Sequence, residues 1–401
     1  MTAIRTLVAE VPAWPVVAAG AAPDEPAVVV HANRVVAATP AARDEGVDVG
    51  LRRREAQSRC PSLAVLSADP ARDARAWEPV VAGLDDVCPR IEIAVPGRLA
   101  FPTRGPARYF GGDDALAALV AARTGAAVGI ADGPFAALLA ARRGVVVPPG
   151  ATPSFLAPLP VTTLGVAGLP DDFVDVLGRL GLRTLGAVAG VGEGDVAGRF
   201  GADGVVAWRL AAGLDERPPR TERPPPDLAA RLELDPPVER VETAAFVARG
   251  LADELAGRLE ARGLACIRLL VAAETEHGER LERLWRGDGA GGASALSAAA
   301  IADRVRWQLD GWLRQLGTRG PTAGITLLEL VPDEVAPARG RQLGFWGGSP
   351  DAADRVARAV ARLSALLGPE AVLVPEQRGG RDPAADVALV PAAAVDLSGE
   401  R

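Results

Sequence analysis

The stretch Glu216 to Asp227, ERPPRTERPPPD, constrains the fold more than any other part of this chain. Its five prolines lie among charged residues. They cannot pack as a helix or a central strand, because each proline lacks a backbone N–H and has a fixed φ angle. The stretch therefore predicts a semi-rigid linker. A length of 401 residues independently favours two or more domains.

After the linker, the hydrophobic period predicts a βαββαβ domain of about a hundred residues. The predicted elements are strand Leu228–Leu234, helix Val241–Arg262, strand Ala265–Ala273, strand Arg280–Arg286, helix Ser297–Leu316 and strand Ile325–Leu330. Phe246, Leu251, Leu255 and Leu259 are predicted to share one face of the first helix.

The part of the chain before the linker predicts a second split βαβ pattern and a helical region. Strands and helices alternate as strand–helix–strand–strand–helix–strand from Leu63 to Ile130, which is typical of a ferredoxin-like sheet. Residues 151–215 read as short helices joined by glycine turns. Both mixed patterns indicate an α+β fold.

Composition excludes several classes of function. All 44 basic residues are arginine, so a phosphate loop that ends in lysine is excluded. The formal net charge of −7 argues against tight, independent nucleic-acid binding. The three cysteines and two histidines are widely spaced and match neither a zinc site nor a disulfide framework, so we expect no metal or cofactor and a reducing, cytoplasmic location. No signal peptide or apolar run of membrane length is expected.

Five stretches together resemble the ImuB-type branch of the Y-family DNA polymerases (DinB/UmuC-type), the catalytically inactive relatives found in bacterial mutasomes. They are HANRVV at His31–Val36, GVDVGLRRREAQSRCPSL at Gly46–Leu63, ARYFGGDDAL at Ala107–Leu116, VGIADGPFAA at Val128–Ala137 and LWRGDG at Leu284–Gly289. The resemblance covers nearly the whole chain. It implies a Y-family architecture of fingers, ferredoxin-like palm, helical thumb and βαββαβ little finger.

The resemblance also implies domain boundaries. They are the first palm strand in 1–20, fingers in 21–62, palm in 63–165, a helix-hairpin-helix-like thumb in 166–215, linker in 216–227, little finger in 228–331, and a clamp-binding motif with the tail in 332–401.

Active Y-family members hold two metal ions on an Asp-x-Asp-x-Phe-Phe strand and a Ser-x-Asp-Glu hairpin, and the resemblance places these positions here on other residues. The first aspartate falls on Glu10, the second on Pro12, and the aromatic pair on Trp14-Pro15. The Asp-Glu pair falls on Gly97 and Arg98, which puts a cation where a metal ion is expected. The resemblance therefore implies a pseudo-polymerase.

Three further positions of the family pattern are altered. The Tyr-x-x-Arg of the fingers reads Pro40-Ala41-Ala42-Arg43, the palm lysine falls near Leu138, and the thumb hairpin Gly-x-Gly-Pro-Lys reads Gly168-Leu169-Pro170-Asp171-Asp172. The remaining carboxylate pair, Asp113-Asp114, is better explained as the start of a helix, where acids cap free N–H groups and match the dipole.

The segment Arg341–Gly347, RQLGFWG, resembles peptides that bind the bacterial sliding clamp. It follows a predicted strand and a spacer rich in proline and glycine, where folding alone does not explain adjacent aromatics. Gln342, Leu343, Phe345 and Trp346 are the predicted clamp-binding residues. The alternative is that the apolar side chains pack back onto their own domain.

The function implied is a non-catalytic adaptor in damage-induced translesion synthesis and mutagenesis, which links the β sliding clamp to an error-prone C-family polymerase. A RecA-like accessory protein is a further implied partner. Arg268, Arg283 and Arg286, on or beside the predicted little-finger hairpin, are predicted to give weak DNA binding. The alternatives are an active translesion polymerase and a clamp-independent protein that binds damaged DNA.

Overall fold

The computed structural model describes residues 4–214, 226–287, 295–314, 321–338, 371–377 and 387–391. The chain divides into two units. The first comprises Met1–Trp14 and Pro70–Ala338, and the second comprises Pro15–Asp69 and Arg339–Arg401.

Helices and strands alternate along most of the described chain. The α-helices are α1 (Trp14–Ala18), α2 (Pro40–Asp44), α3 (Arg53–Arg59), α4 (Pro70–Ala82), α5 (Arg104–Phe110), α6 (Asp113–Thr124), α7 (Pro134–Ala141), α8 (Thr152–Leu156), α9 (Asp171–Arg179), α10 (Leu185–Ala189), α11 (Glu193–Ala211), α12 (Val241–Glu260) and α13 (Ala298–Leu313). Short 3-10 helices cover Val161–Ala167 and Pro226–Leu228. The strands are β1 (Arg5–Glu10), β2 (Ala27–His31), β3 (Arg34–Ala38), β4 (Ala64–Ser67), β5 (Glu92–Val95), β6 (Arg98–Pro102), β7 (Ala127–Asp132), β8 (Ala230–Val238), β9 (Leu264–Thr275), β10 (Arg280–Arg286), β11 (Ile325–Pro337), β12 (Leu373–Gln377) and β13 (Val387–Pro391).

An eight-stranded sheet forms the centre of the first unit, in the order β7-β1-β6-β5-β10-β9-β11-β8. We call β7-β1-β6-β5 the N-terminal half-sheet and β10-β9-β11-β8 the C-terminal half-sheet. Within each half, neighbouring strands are antiparallel. The βαββαβ pattern predicted after the linker is therefore present, whereas in the N-terminal half-sheet β1 takes the place of the strand predicted to begin at Leu63.

The two half-sheets are continuous, which the sequence did not predict. Strand β10 pairs parallel with β5, where Leu284 lies opposite Glu92 and Trp285 opposite Ile93. One apolar cluster also runs through both halves and includes Trp77 of α4 and Trp312 of α13. The expectation of two separate ferredoxin-like sheets is thus corrected, because edge pairing joins them.

Helix α12 follows its predicted bounds closely but does not bury Phe246. Leu251, Leu255 and Leu259 are buried, together with Ala244 and Ala248, whereas Phe246 is 84% exposed. Residue 246 lies five positions before Leu251, which at 3.6 residues per turn places it well away from the buried stripe. The prediction for Phe246 was wrong for this reason.

Five α-helices, α7 to α11, and a 3-10 helix follow β7. They contribute to one apolar cluster, which includes Leu156, Leu164, Leu177, Leu185 and Leu210. Glycine breaks their regularity, as predicted. Gly201 has non-helical angles (φ 61°, ψ −137°) inside α11, so the helix is kinked there.

The second unit contains a three-stranded sheet in the order β3-β2-β4. Strands β2 and β3 form a hairpin whose turn residues, Ala32 and Asn33, both have positive φ. Strand β4 pairs parallel with β2. The strand predicted at Leu63–Leu66 within the ferredoxin-like sheet therefore belongs to this smaller sheet.

A separate hairpin in the second unit pairs β12 with β13. In the part of the chain that the structure describes, no helix is both long enough and apolar enough to cross a membrane.

Candidate functional site

Strand pairing brings Glu10 and Arg98 together at the end of the N-terminal half-sheet. The antiparallel register of β1 and β6 places the two residues directly opposite each other. Arg98 donates from Nη2 to Glu10 Oε1 at 2.7 Å and from Nε to the same oxygen at 3.1 Å. The residue at the family's first metal-binding position is therefore ion-paired with the residue that the resemblance places at an acid position.

Arg142, at the end of α7, completes a cluster that we call the Glu10 triad. Its Nε donates to Glu10 Oε2 at 2.8 Å and its Nη2 to Oε1 at 3.0 Å. Burial alone would raise the pKa of Glu10, but the hydrogen bonds and positive charges of Arg142 and Arg98 outweigh burial and lower it. The carboxylate therefore keeps its charge, and two cations face one anion.

Trp14 packs against Gly97, the residue next to Arg98 of the triad. Its indole N–H donates to the backbone carbonyl of Asp73 at 2.8 Å, and its ring meets Trp77 edge-on with centroids 4.9 Å apart. Gly97 lies against it, with φ +94°, and a Cβ at Gly97 would be only 2.3 Å from the Trp14 Cβ. Glycine is thus required here both by its backbone angle and by the close approach of Trp14.

The residues around Glu10 do not fit a divalent cation. Metal ions of this class need several oxygen ligands, whereas both oxygens of Glu10 accept hydrogen bonds from guanidinium groups. A cation placed there would also be repelled by Arg98 and Arg142. Within the described ranges, no group of three or more His, Cys, Asp or Glu side chains is positioned to hold a metal.

The other altered positions have ordinary structural surroundings. Leu138 is buried within α7. Gly168, with φ +79°, caps the 3-10 helix, and Pro170 precedes α9, whose first turn contains Asp171 and Asp172. Carboxylates in that turn match the helix dipole.

Asp113 and Asp114 lie in the first turn of α6, as expected for a helix start. The residue that caps this helix is Gly112, and no side chain caps it. Asp113 instead pairs with Arg5 at 2.6 Å. Its role is therefore helix-dipole and ion-pair stabilisation within the first unit.

The three arginines predicted to contact DNA lie on β9 and β10, but their charges are used within the protein. Arg283 pairs with Glu78 at 2.7 Å, Arg286 with Glu92 at 2.6 Å, and Arg268 with Asp333 at 2.6 Å. All three side chains are largely buried. Carboxylates within the protein therefore balance these charges, and a role of the three arginines in DNA binding stays a prediction.

A buried polar cluster around Glu78, which sequence reasoning missed, holds α4 against α13. Glu78 of α4 accepts hydrogen bonds from Arg283, from Gln308 Nε2 at 2.8 Å and from Trp312 Nε1 at 3.2 Å. Arg75 of α4 also pairs with the buried Asp310 of α13 at 2.6 Å. Gln308, between the apolar residues Trp307 and Leu309 of the predicted helix Ser297–Leu316, was the available signal, since a buried polar residue needs a partner.

The predicted clamp-binding residues Gln342, Leu343, Phe345 and Trp346 lie outside the described residues. Their role stays a prediction from the sequence.

Comparison with known families finds a match over residues 17–142 to the impB/mucB/samB family. The chain is similar to Protein ImuB of Caulobacter vibrioides, with 30% identity over 230 residues, which cover 54% of this chain and 49% of that protein. It is also similar to DNA polymerase IV 1 of Mesorhizobium japonicum, with 25% identity over 331 residues, which cover 78% and 73% of the two chains. The chain thus aligns with about half of the length of the ImuB relative.

Solved structures of similar fold include DinB from Sulfolobus solfataricus, with a TM-score of 0.47 and 16% identity. A Dbh ternary complex matches with a TM-score of 0.46 and 14% identity. Each match covers 83% of this chain and 99% of the other.

Proposed function

From the premise that this chain is an ImuB-like homologue of the Y-family DNA polymerases, we propose that it is a non-catalytic adaptor in translesion synthesis. It acts in the mutagenesis that follows DNA damage, as part of a mutasome made in the SOS response. Its polymerase-like fold serves to organise other proteins at a lesion, while another enzyme forms the phosphodiester bonds.

The Glu10 triad carries this proposal. Two-metal phosphoryl transfer needs a carboxylate cluster that holds both ions near the reacting phosphate. Here the single acid at that position is bonded to Arg98 and Arg142, and Trp14 fills the space over Gly97. Binding a metal ion would require breaking four hydrogen bonds and placing the ion beside two positive charges.

The adaptor binds the β sliding clamp through Gln342, Leu343, Phe345 and Trp346. It brings an error-prone C-family polymerase and a RecA-like accessory protein to the lesion, and it binds DNA only weakly. These partners place it in the cytoplasm, at the nucleoid. The clamp motif supports this part of the proposal by its sequence alone.

A primer-extension assay tests the absence of catalysis. The purified chain is incubated with primer–template DNA, nucleotides and Mg²⁺ or Mn²⁺, and we expect no extension beyond a no-enzyme control. A related DNA polymerase IV serves as the positive control. Extension that is lost in Glu10→Ala would contradict the proposal and establish the second candidate, an active polymerase, which the DNA polymerase IV relatives favour.

A clamp-binding assay tests the adaptor role. We expect the full chain to bind the purified clamp, and Phe345→Ala/Trp346→Ala to abolish that binding, because aromatic anchors at interfaces each contribute about 2 kcal/mol or more. The melting temperature should stay the same. A large drop in the melting temperature would instead mean that these aromatics belong to the core.

A further inference from the structure

The Glu10 triad has an excess of positive charge that its own residues do not balance. Arg98 and Arg142 both bond to the one carboxylate of Glu10. In the part of the chain that the structure describes, neither arginine has a second carboxylate partner. The cluster therefore carries a net charge of about +1 at neutral pH, since guanidinium groups stay protonated.

Both arginines also retain hydrogen-bond donors that Glu10 does not use, and both side chains are partly exposed. A guanidinium has five N–H donors, and Glu10 accepts from Nε and Nη2 of each arginine, which leaves Nη1 of both unused by the triad. Their side chains are 27% and 40% exposed, whereas Glu10 is only 9% exposed. The two cations thus converge on Oε1 of a buried carboxylate, while the arginine side chains themselves stay partly exposed.

We propose that Arg98 and Arg142 form a metal-independent binding site for a phosphate group. Phosphate oxygens match the planar fork of a guanidinium and supply the missing negative charge. Glu10 acts as a positioning residue, because its side-chain oxygen Oε1 accepts hydrogen bonds from both guanidinium groups and so holds them side by side. The inference rests on the proposed loss of metal binding at this site, and no bond is made or broken in it.

The site suits the phosphate of a nucleotide or of a nucleic-acid backbone, since both present the same oxygen atoms. The test titrates inorganic tripolyphosphate and, separately, a short primer–template duplex into the full chain by calorimetry in EDTA. Binding of tripolyphosphate identifies a free nucleotide phosphate as the source, and binding of the duplex alone identifies the DNA backbone. Both results support the site.

Variants of the triad should shift the affinity in opposite directions. Arg142→Gln removes a charged donor and should weaken binding by roughly ten- to a hundredfold. Glu10→Gln removes the competing anion while keeping an acceptor, so binding should tighten severalfold. A role in folding alone would not produce this reversal.

Arg143→Gln is the matched control, since it makes the same change in charge at the next residue. Arg143 lies outside the triad, with its guanidinium 5.7 Å from the Phe155 ring centroid. We expect this variant to bind phosphate like the unchanged protein. Equal weakening by Arg142→Gln and Arg143→Gln, or no binding of either probe, would overturn the inference.

The measurement remains interpretable if a variant is unstable. Thermal melts identify a misfolded Glu10→Gln protein, and the comparison of Arg142→Gln with Arg143→Gln then decides the question, because both side chains are accessible at the surface. Absence of phosphate binding would leave the adaptor proposal intact. Primer extension by the chain would refute the adaptor proposal, whatever the phosphate titration in EDTA shows.

Discussion

Replacing Glu78 should show how firmly the two half-sheets are joined. The Glu78 side chain is only 6% exposed, and it accepts hydrogen bonds from Arg283, Gln308 and Trp312, all of which lie beyond the linker in sequence. Glu78→Gln keeps the shape but removes the charge, so Arg283 loses its buried partner. Gln308 and Trp312 then compete for one remaining amide oxygen.

The expected loss in the free energy of unfolding is about 2–3 kcal/mol. Breaking a buried ion pair by removing one partner costs about 3–5 kcal/mol, and Asp85 still accepts two hydrogen bonds from Arg283 at 3.2 Å. At about 2–4 °C per kcal/mol for domains of this size, the melting temperature should fall by roughly 5–10 °C.

Asp85→Asn is the matched control, because Asp85 pairs with the same arginine from an exposed position. Its side chain is 53% exposed, and exposed ion pairs contribute about 1 kcal/mol or less. Urea unfolding, followed by tryptophan fluorescence and by circular dichroism, measures both variants. Coincident curves are expected, because one apolar cluster and one sheet cross the junction.

Two outcomes would refute this reasoning. Equal losses for Glu78→Gln and Asp85→Asn would mean that burial of the ion pair does not determine its contribution. Two separate unfolding transitions, of which only one responds to Glu78→Gln, would mean that the half-sheets unfold independently in spite of the β5–β10 pairing.

Three further substitutions test other parts of the fold. Gly97→Ala should lower the free energy of unfolding by at least about 1–3 kcal/mol more than Gly111→Ala. Both glycines have φ near +90°, but only a Cβ at Gly97 would clash with Trp14. Equal losses in urea unfolding would contradict the close packing. Burial would raise the pKa of Glu92, but Arg286 and Arg268 outweigh burial and lower the pKa. The contribution of Glu92 to stability is therefore present above the unfolded-state pKa of 4.5 and is lost as the pH falls through the folded-state pKa. Urea midpoints measured from about pH 6 to 3 should show less acid sensitivity in Glu92→Gln than in the exposed control Glu233→Gln, and unchanged acid sensitivity in Glu92→Gln would contradict the charge network. Phe246→Ser should change the free energy of unfolding by only about 0.5 kcal/mol, whereas Leu251→Ala should lower it by about 2–5 kcal/mol. A large loss for Phe246→Ser would mean that Phe246 is buried.

The fold class and family were predictable because they depend on patterns that are local in the sequence. Hydrophobic period alone locates the βαββαβ pattern after the linker, and the α+β class is confirmed. The family match over residues 17–142 and the similarity to Protein ImuB agree with the resemblance seen in the sequence. The resemblance likewise placed Arg98 at an expected acid position from one stretch of chain. The predicted domain boundaries and clamp contacts stay predictions.

The partners of charged residues required the tertiary structure. Arg283 looked like a surface cation, because nothing nearby in sequence indicates that Glu78 lies beside it. Arg142 was not singled out at all, since its distance of 132 residues from Glu10 hides the contact. Ion pairs depend on spatial distance, whereas sequence patterns report mainly local conformation and the faces of single elements.

The sequence by itself determined the order of elements and the glycine breaks in the helical region, and it placed Gly97 and Arg98 where the resemblance expects an acid pair. Only the tertiary structure decided that β10 continues the sheet from β5, that β4 joins the smaller sheet, and that two arginines share Glu10. Strand edges offer the same backbone donors and acceptors to many partners. Which edges meet is therefore decided by the packing of the whole unit, here by apolar contacts and the Glu78 cluster that join α4 to α13.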